Sequence, residues 1–96
     1  MIRLFECLSA KKVCVEPNTD VNVPVYTKNI QIRDNDSIEF FESFSTEDKG
    51  LNGAGTKYDG VKLFVVLKNG GENSVTIRRG EHIGNILLED RNGMER

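Results

Sequence analysis

Apolar residues in this sequence recur at every second position. Val21, Val23 and Val25 alternate with Asn22, Pro24 and Tyr26; Ile30 and Ile32 alternate with Gln31 and Arg33; Ile38 and Phe40 alternate with Ser37 and Glu39. Val75 and Ile77 alternate with Ser74, Thr76 and Arg78, and Val13 and Val15 flank Cys14. A strand sends successive side chains to opposite faces, so this period marks short strands with one dry and one wet face. Leu63 to Leu67 is contiguous instead, which predicts a strand buried on both faces at the centre of the core. No window carries the i, i+3, i+4, i+7 pattern of an amphipathic helix, although residues 37–49 leave room for a short helical turn.

The punctuation fits many short strands. Pro17-Asn18-Thr19-Asp20, Asp34-Asn35-Asp36 and Arg79-Gly80 read as turns. Asn69-Gly70-Gly71-Glu72-Asn73 separates two apolar runs and reads as a hairpin loop. Pro24 inside a strand pattern implies an edge, a bulge or a strand end. Residues 46–60 form the longest polar, glycine-rich stretch and read as a mobile or functional loop; Arg91 to Arg96 reads as a frayed polar tail. The reading is an all-β fold, an antiparallel barrel or clip of about seven or eight strands in a single domain over residues 1–96. The expected strands are 2–7, 12–16, 21–26, 29–33, 37–42, 61–68, 74–78 and 82–88. The expected core comprises Leu4, Val13, Val23, Ile30, Ile38, Phe40, Leu63, Val65, Leu67, Val75, Ile77, Ile83 and Ile86.

Charge and length narrow the function classes. Thirteen Lys and Arg face fifteen Asp and Glu, a net charge of −2, which argues against a dedicated nucleic-acid binder. The longest apolar run is five residues, too short to span a membrane. Met1 is followed at once by Ile2-Arg3-Leu4-Phe5, so no signal peptide is expected and the protein is placed inside a cell. Cys7 and Cys14 are the only cysteines; two thiols make no disulfide framework, and with one histidine a zinc site is not expected.

Few residues point to chemistry. The glycine loop from Gly50 to Gly60 lacks the Gly-Lys-Ser/Thr of a phosphate loop and opens no helix. His82, the lone histidine, starts a strand with no nucleophile pattern aimed at it, and reads as structural. Glu47-Asp48 and Glu89-Asp90 could offer oxygens to magnesium, but read as solvated turn charge. Arg78-Arg79 could meet a phosphate, but reads as ordinary surface. Asn35-Asp36-Ser37 matches a glycosylation sequon by chance, and Phe40, Phe41 and Phe44 read as core.

One stretch carries a resemblance. Tyr58-Asp59-Gly60, the apolar strand ending in Asn69, Val75-Thr76-Ile77, and Gly80-Glu81-His82-Ile83-Gly84-Asn85-Ile86 resemble the C-terminal half of trimeric dUTPases, and Gly53-Ala54-Gly55 resembles the Gly-Ala-Gly that precedes this region in some of them. The resemblance covers a third to a half of the chain and implies the β-clip architecture. The catalytic parts depart from it. The family's base-activating Asp, three residues before the Tyr, is Gly55; its Arg and Gln of the fourth motif are His82 and Asn85. Its Ala-Gly-Tyr-Asp-Leu and Arg-Ser-Gly-Leu-Ala motifs and its glycine-rich C-terminal arm have no counterpart. Tyr58, the family's uracil-side residue, is the one nucleotide-contact candidate carried over.

The resemblance therefore implies a non-catalytic relative, and size and character resemble the telokin-like family of baculoviruses. The expectation is a small non-enzymatic viral structural or interaction protein. No catalytic residue, cofactor or metal is expected; the partner is an unidentified protein, with neither membrane nor nucleic acid, and the state is monomer or homotrimer. The alternative is a nucleotide-binding or degenerate dUTPase using Tyr58 and the glycine loop. A fragment of a larger enzyme is the third reading.

Overall fold

The alternating segments become strands paired antiparallel throughout. The computed structural model describes residues 2–90; the tail from Arg91 to Arg96 lies outside them. In chain order the elements are β1 (Ile2–Ser9), β2 (Val13–Val15), β3 (Asp20–Tyr26), β4 (Asp36–Glu42), α1 (Phe44–Asp48), β5 (Leu51–Tyr58), β6 (Leu63–Asn69), β7 (Val75–Ile77) and β8 (His82–Asp90). Six strands form one sheet in the order β4-β8-β1-β3-β6-β5, while β2 and β7 pair as a separate ribbon. The fold is all-β, as the period of two implies.

The large sheet curls until its edge strands face each other, making a nearly closed barrel. No ladder joins β4 to β5. Two side chains bridge them instead: Gly53 N–H donates to Glu42 Oε2 at 3.2 Å, and Thr56 Oγ1 donates to the Ile38 carbonyl at 3.4 Å. Phe40 closes the seam. A Cβ at Gly84 would lie 2.6 Å from its ring, and one at Gly53 would lie 2.9 Å from it. The ring therefore seats on two backbones that only glycine can offer at that distance.

Cys7, Val15, Val23, Leu51, Val65, Leu67, Ile77, Ile83, Ile86 and Leu88 form the sealed core, and Val13, Ile30, Ile38, Phe40 and Val75 pack against it. Leu4 does not belong to it: it is 63% exposed. β1 is apolar on both faces, and its phase is set by β8, which turns Phe5, Cys7 and Ser9 inward and Ile2, Leu4 and Glu6 outward. A one-residue shift of phase exchanges the faces of a whole strand. Phe41 and Phe44 are likewise outside, Phe44 at 87% exposure, because β4 turns alternate residues outward and α1 is one turn long.

Three other expectations are corrected. Residues 29–33 are not a strand: after the Lys28–Asn29 turn, where Asn29 has φ +60°, the chain runs without a ladder, and Ile30 and Ile32 pack on the core as a covering loop. Residues 46–60 are not a long loop but α1 followed by β5. Ser43 caps α1, its Oγ accepting from Thr46 N–H at 3.3 Å, and Gly50 at φ +90° ends it. β5 hides its alternation because Ala54 bulges out of register and Gly53 leaves its side-chain volume to Phe40. Finally, Asn69–Asn73 is not a hairpin, since β6 pairs with β3 and β5 while β7 crosses to β2.

Asn69 makes that crossing possible. Its buried Nδ2 donates to the carbonyls of Val15 (3.0 Å) and Asn73 (2.8 Å), and its Oδ1 accepts from Gly71 N–H at 2.9 Å. One amide thus satisfies the backbone where ribbon and barrel meet. Pro24 also has its place: its carbonyl accepts from Ala10 N–H at 2.8 Å, so its missing N–H faces the side away from β6, where the β1 ladder covers only the end of β3.

Candidate functional site

The register at one end of the barrel sets Val25, Leu63 and Tyr58 in a row across β3, β6 and β5, with Pro24, Phe64 and Lys57 in the next row. Beyond the strand ends, the Ile30–Ile32 loop stands on one side and the Asp59–Lys62 turn on the other. Between them lies a groove of about 560 Å³. Its walls are Pro24, Val25, Ile30, Ile32, Leu63 and Phe64, and its rim carries Tyr26, Tyr58 and Val61. Ala10, Lys11 and Lys62 complete it. This size is within the range of small-molecule clefts, about 300–1,000 Å³.

Each wall has a local cause. Asp59 holds the turn, its Oδ1 accepting from the N–H groups of Val61 (2.9 Å) and Lys62 (2.6 Å). Those bonds, that from Lys62 first, hold the Asp59 carboxyl below the usual aspartate range. The turn thrusts Val61 into solvent at 86% exposure. Tyr58 Oη donates to the Gly60 carbonyl at 2.9 Å, which fixes its ring at the rim. Thr27 is also part of the lining. It is only 9% exposed and its Oγ1 has no hydrogen-bond partner. A buried hydroxyl without a partner is uncommon in a folded chain and is a ready contact for an occupant.

The other sequence candidates are scattered. His82 is exposed at the start of β8, Glu47 and Asp48 are exposed on α1, and Glu89 and Asp90 end β8. Arg78 and Arg79 sit beside Lys12, Lys49 and Glu81 in a wide, shallow cleft, but Glu81 occupies it, accepting from Lys49 Nζ at 2.6 Å and from Arg78 N–H at 3.1 Å. Partial burial opposes the charge of Glu81, yet these two bonds and the charges of Lys49 and Arg78 outweigh it and lower its pKa. Among the described residues no group of three His, Cys, Asp or Glu side chains could hold a metal. Both cysteines are free; burial pushes the Cys7 thiol up to about 12, which leaves it unreactive, while Cys14 is exposed. No helix among the described residues is long and apolar enough to cross a membrane.

Of the singled-out residues, Tyr58 lines the apolar groove, while Arg78 and Arg79 line the charged cleft around Glu81. Tyr26, Thr27, Lys11 and Lys62 were not visible as site residues, since the groove joins three segments that no local spacing connects. Compared with protein-family models, curated proteins and solved structures, the chain matches none.

Proposed function

We propose that this protein is a non-enzymatic interaction protein that binds through the groove at the β3–β6 end of the barrel. The observation that carries this reading is the exposure of Tyr26, Tyr58 and Val61 around an apolar cleft whose lining includes Thr27, a residue with a buried, unpartnered hydroxyl. Aromatic side chains beside a concave apolar surface are the usual chemistry of recognition. The groove's polar lining residues are two tyrosines, a threonine and two lysines, side chains that can hold and orient an occupant.

The finer assignment rests on the resemblance to the dUTPase-like β-clip. The segments that carry it fall on β6, β7 and β8, and Tyr58 ends β5 at the groove. A small viral protein of the telokin-like kind, working inside a host cell as a monomer or homotrimer, is the corresponding biological reading. Two free thiols fit a reducing compartment.

A second reading is favoured by the position of Tyr58: the groove takes a nucleotide, with Lys62 near its phosphates. Titration of dUTP and magnesium in a calorimeter separates the two. The interaction reading expects neither saturable heat nor release of pyrophosphate. Turnover would overturn it, and saturable heat abolished by Tyr58→Ala would establish the nucleotide reading instead.

A further inference from the structure

We propose that the groove binds a small amphipathic anion: an apolar or aromatic body carrying one acidic group, such as a sulfonate or carboxylate. This deepens the binding reading above and rests on it.

The argument starts from charge. The chain has more acidic than basic residues, yet among the described residues every ionised side chain lining the groove is a lysine, Lys11 or Lys62. Asp59, next to Tyr58 in sequence, is engaged by two backbone N–H groups of its own turn and serves the turn's geometry. An anion entering the groove thus meets two lysines, Lys11 and a Lys62 whose charge also faces the Asp59 carboxylate, while its apolar body meets Pro24, Ile30, Ile32 and Leu63. Opposite charge beside an apolar wall favours a ligand with both characters over one with either alone.

The independent observation is Thr27. Thr27 lines the same groove, and its Oγ1, buried beneath that surface, lacks a partner. The cost of burying that hydroxyl is recovered when the groove wall yields enough for a ligand oxygen to accept from it. Two tyrosines stand at the mouth, Tyr26 at 44% exposure and Tyr58 at 38%, and Tyr58 is already held by its bond to the Gly60 carbonyl, so contact with a flat ring costs little further side-chain freedom there. The volume suits a ligand of two or three rings.

The probes are 8-anilinonaphthalene-1-sulfonate and its uncharged analogue N-phenyl-1-naphthylamine, titrated into the full chain by fluorescence. The anion should bind saturably at one site and at least fivefold more tightly than the neutral probe. Lys11→Ala with Lys62→Ala should erase that preference while changing neutral-probe affinity less than twofold. Thr27→Val should weaken the anion several-fold, and Tyr26→Ala should weaken both probes about tenfold. Amide spectra with nitrogen-15 verify that each variant is folded, and in the parent chain they should shift at residues 24–32 and 58–64.

No saturable binding, equal affinity for the two probes, or indifference to the lysine pair would overturn the proposal. So would shifts centred on the exposed Ile2, Leu4 and Phe41 of the outer sheet face. Those failures leave the interaction reading standing, with a polypeptide as the partner. Hydrolysis of dUTP, by contrast, removes the reading on which this proposal rests.

Discussion

Replacing Thr27 with valine should make the free protein more stable. The two side chains have nearly the same shape, both are branched at Cβ, and Thr27 lies just past the end of β3, so the backbone loses nothing by the exchange. What changes is one hydroxyl. At 9% exposure, with no partner for Oγ1, that group has left water and gained no bond. An unsatisfied buried hydroxyl costs about 1–3 kcal/mol, and valine adds a methyl to the apolar wall. A gain of about 1–2 kcal/mol follows, or a rise in Tm of roughly 5–10 °C for a domain of this size. Urea unfolding should show a higher midpoint at unchanged slope, because the surface exposed on unfolding is the same. Thr27→Ser keeps the hydroxyl, loses a methyl, and should be less stable by about 1 kcal/mol. If Thr27→Val leaves stability unchanged or lowers it, the hydroxyl is already paired in solution, and the claim that it waits for an occupant fails. A gain in stability joined to a loss of anion binding would mark a group retained for function at the expense of stability.

Three further perturbations test the fold around the groove. Asn69→Asp exchanges two donated hydrogen bonds for a carboxylate facing the carbonyls of Val15 and Asn73, and should cost about 3 kcal/mol or more by chemical denaturation. Gly84→Ala drives a methyl first into the Phe41 backbone carbonyl and then into the Phe40 ring, and should cost about 3 kcal/mol; a double-mutant cycle with Phe40→Ala should recover only the ring's share, since the backbone clash remains. Acid should unfold the protein in a window set by carboxylates whose folded pKa is lowered, Asp59 and Glu81. Their contribution is present above the unfolded value of about 4 and is lost as pH falls through the folded value, so Tm should hold from neutral pH to about 5 and then drop. Glu81→Gln should make the drop shallower.

The sequence was most readable where a residue's surroundings are local. Val21 to Val25, Leu63 to Leu67 and Val75 to Ile77 alternate or cluster because each strand meets one continuous core, and they form the strands expected of them. Ile30 and Ile32 alternate equally well, yet they belong to a ladderless loop. Alternation reports an extended chain with one side covered, and says nothing of what pairs with it. Leu4 fails for a related reason: in a strand apolar on both faces the neighbour chooses the inner one. β5 was illegible because its inward volume is supplied by Phe40 of another strand, and α1 because a single turn has no period to display. The groove was legible only at Tyr58. Thr27, Lys11 and Lys62 carry their meaning through three segments meeting, and that meeting is a property of the register.

The seam bridged by Phe40 has a consequence for how the chain may be threaded. β4 and β5 are consecutive strands that share no ladder, and only α1 and its flanks carry the backbone across the gap. One strand in from that seam, Ile2 of β1 pairs with Glu89 of β8, so the two ends of the described chain lie side by side. A polypeptide that began at Leu51, ran through β8, returned by a short linker to β1 and finished at Glu42 would keep every inter-strand ladder of the sheet. The order of the strands in the gene is thus separable from their order in space, and α1 is the natural point of circular permutation.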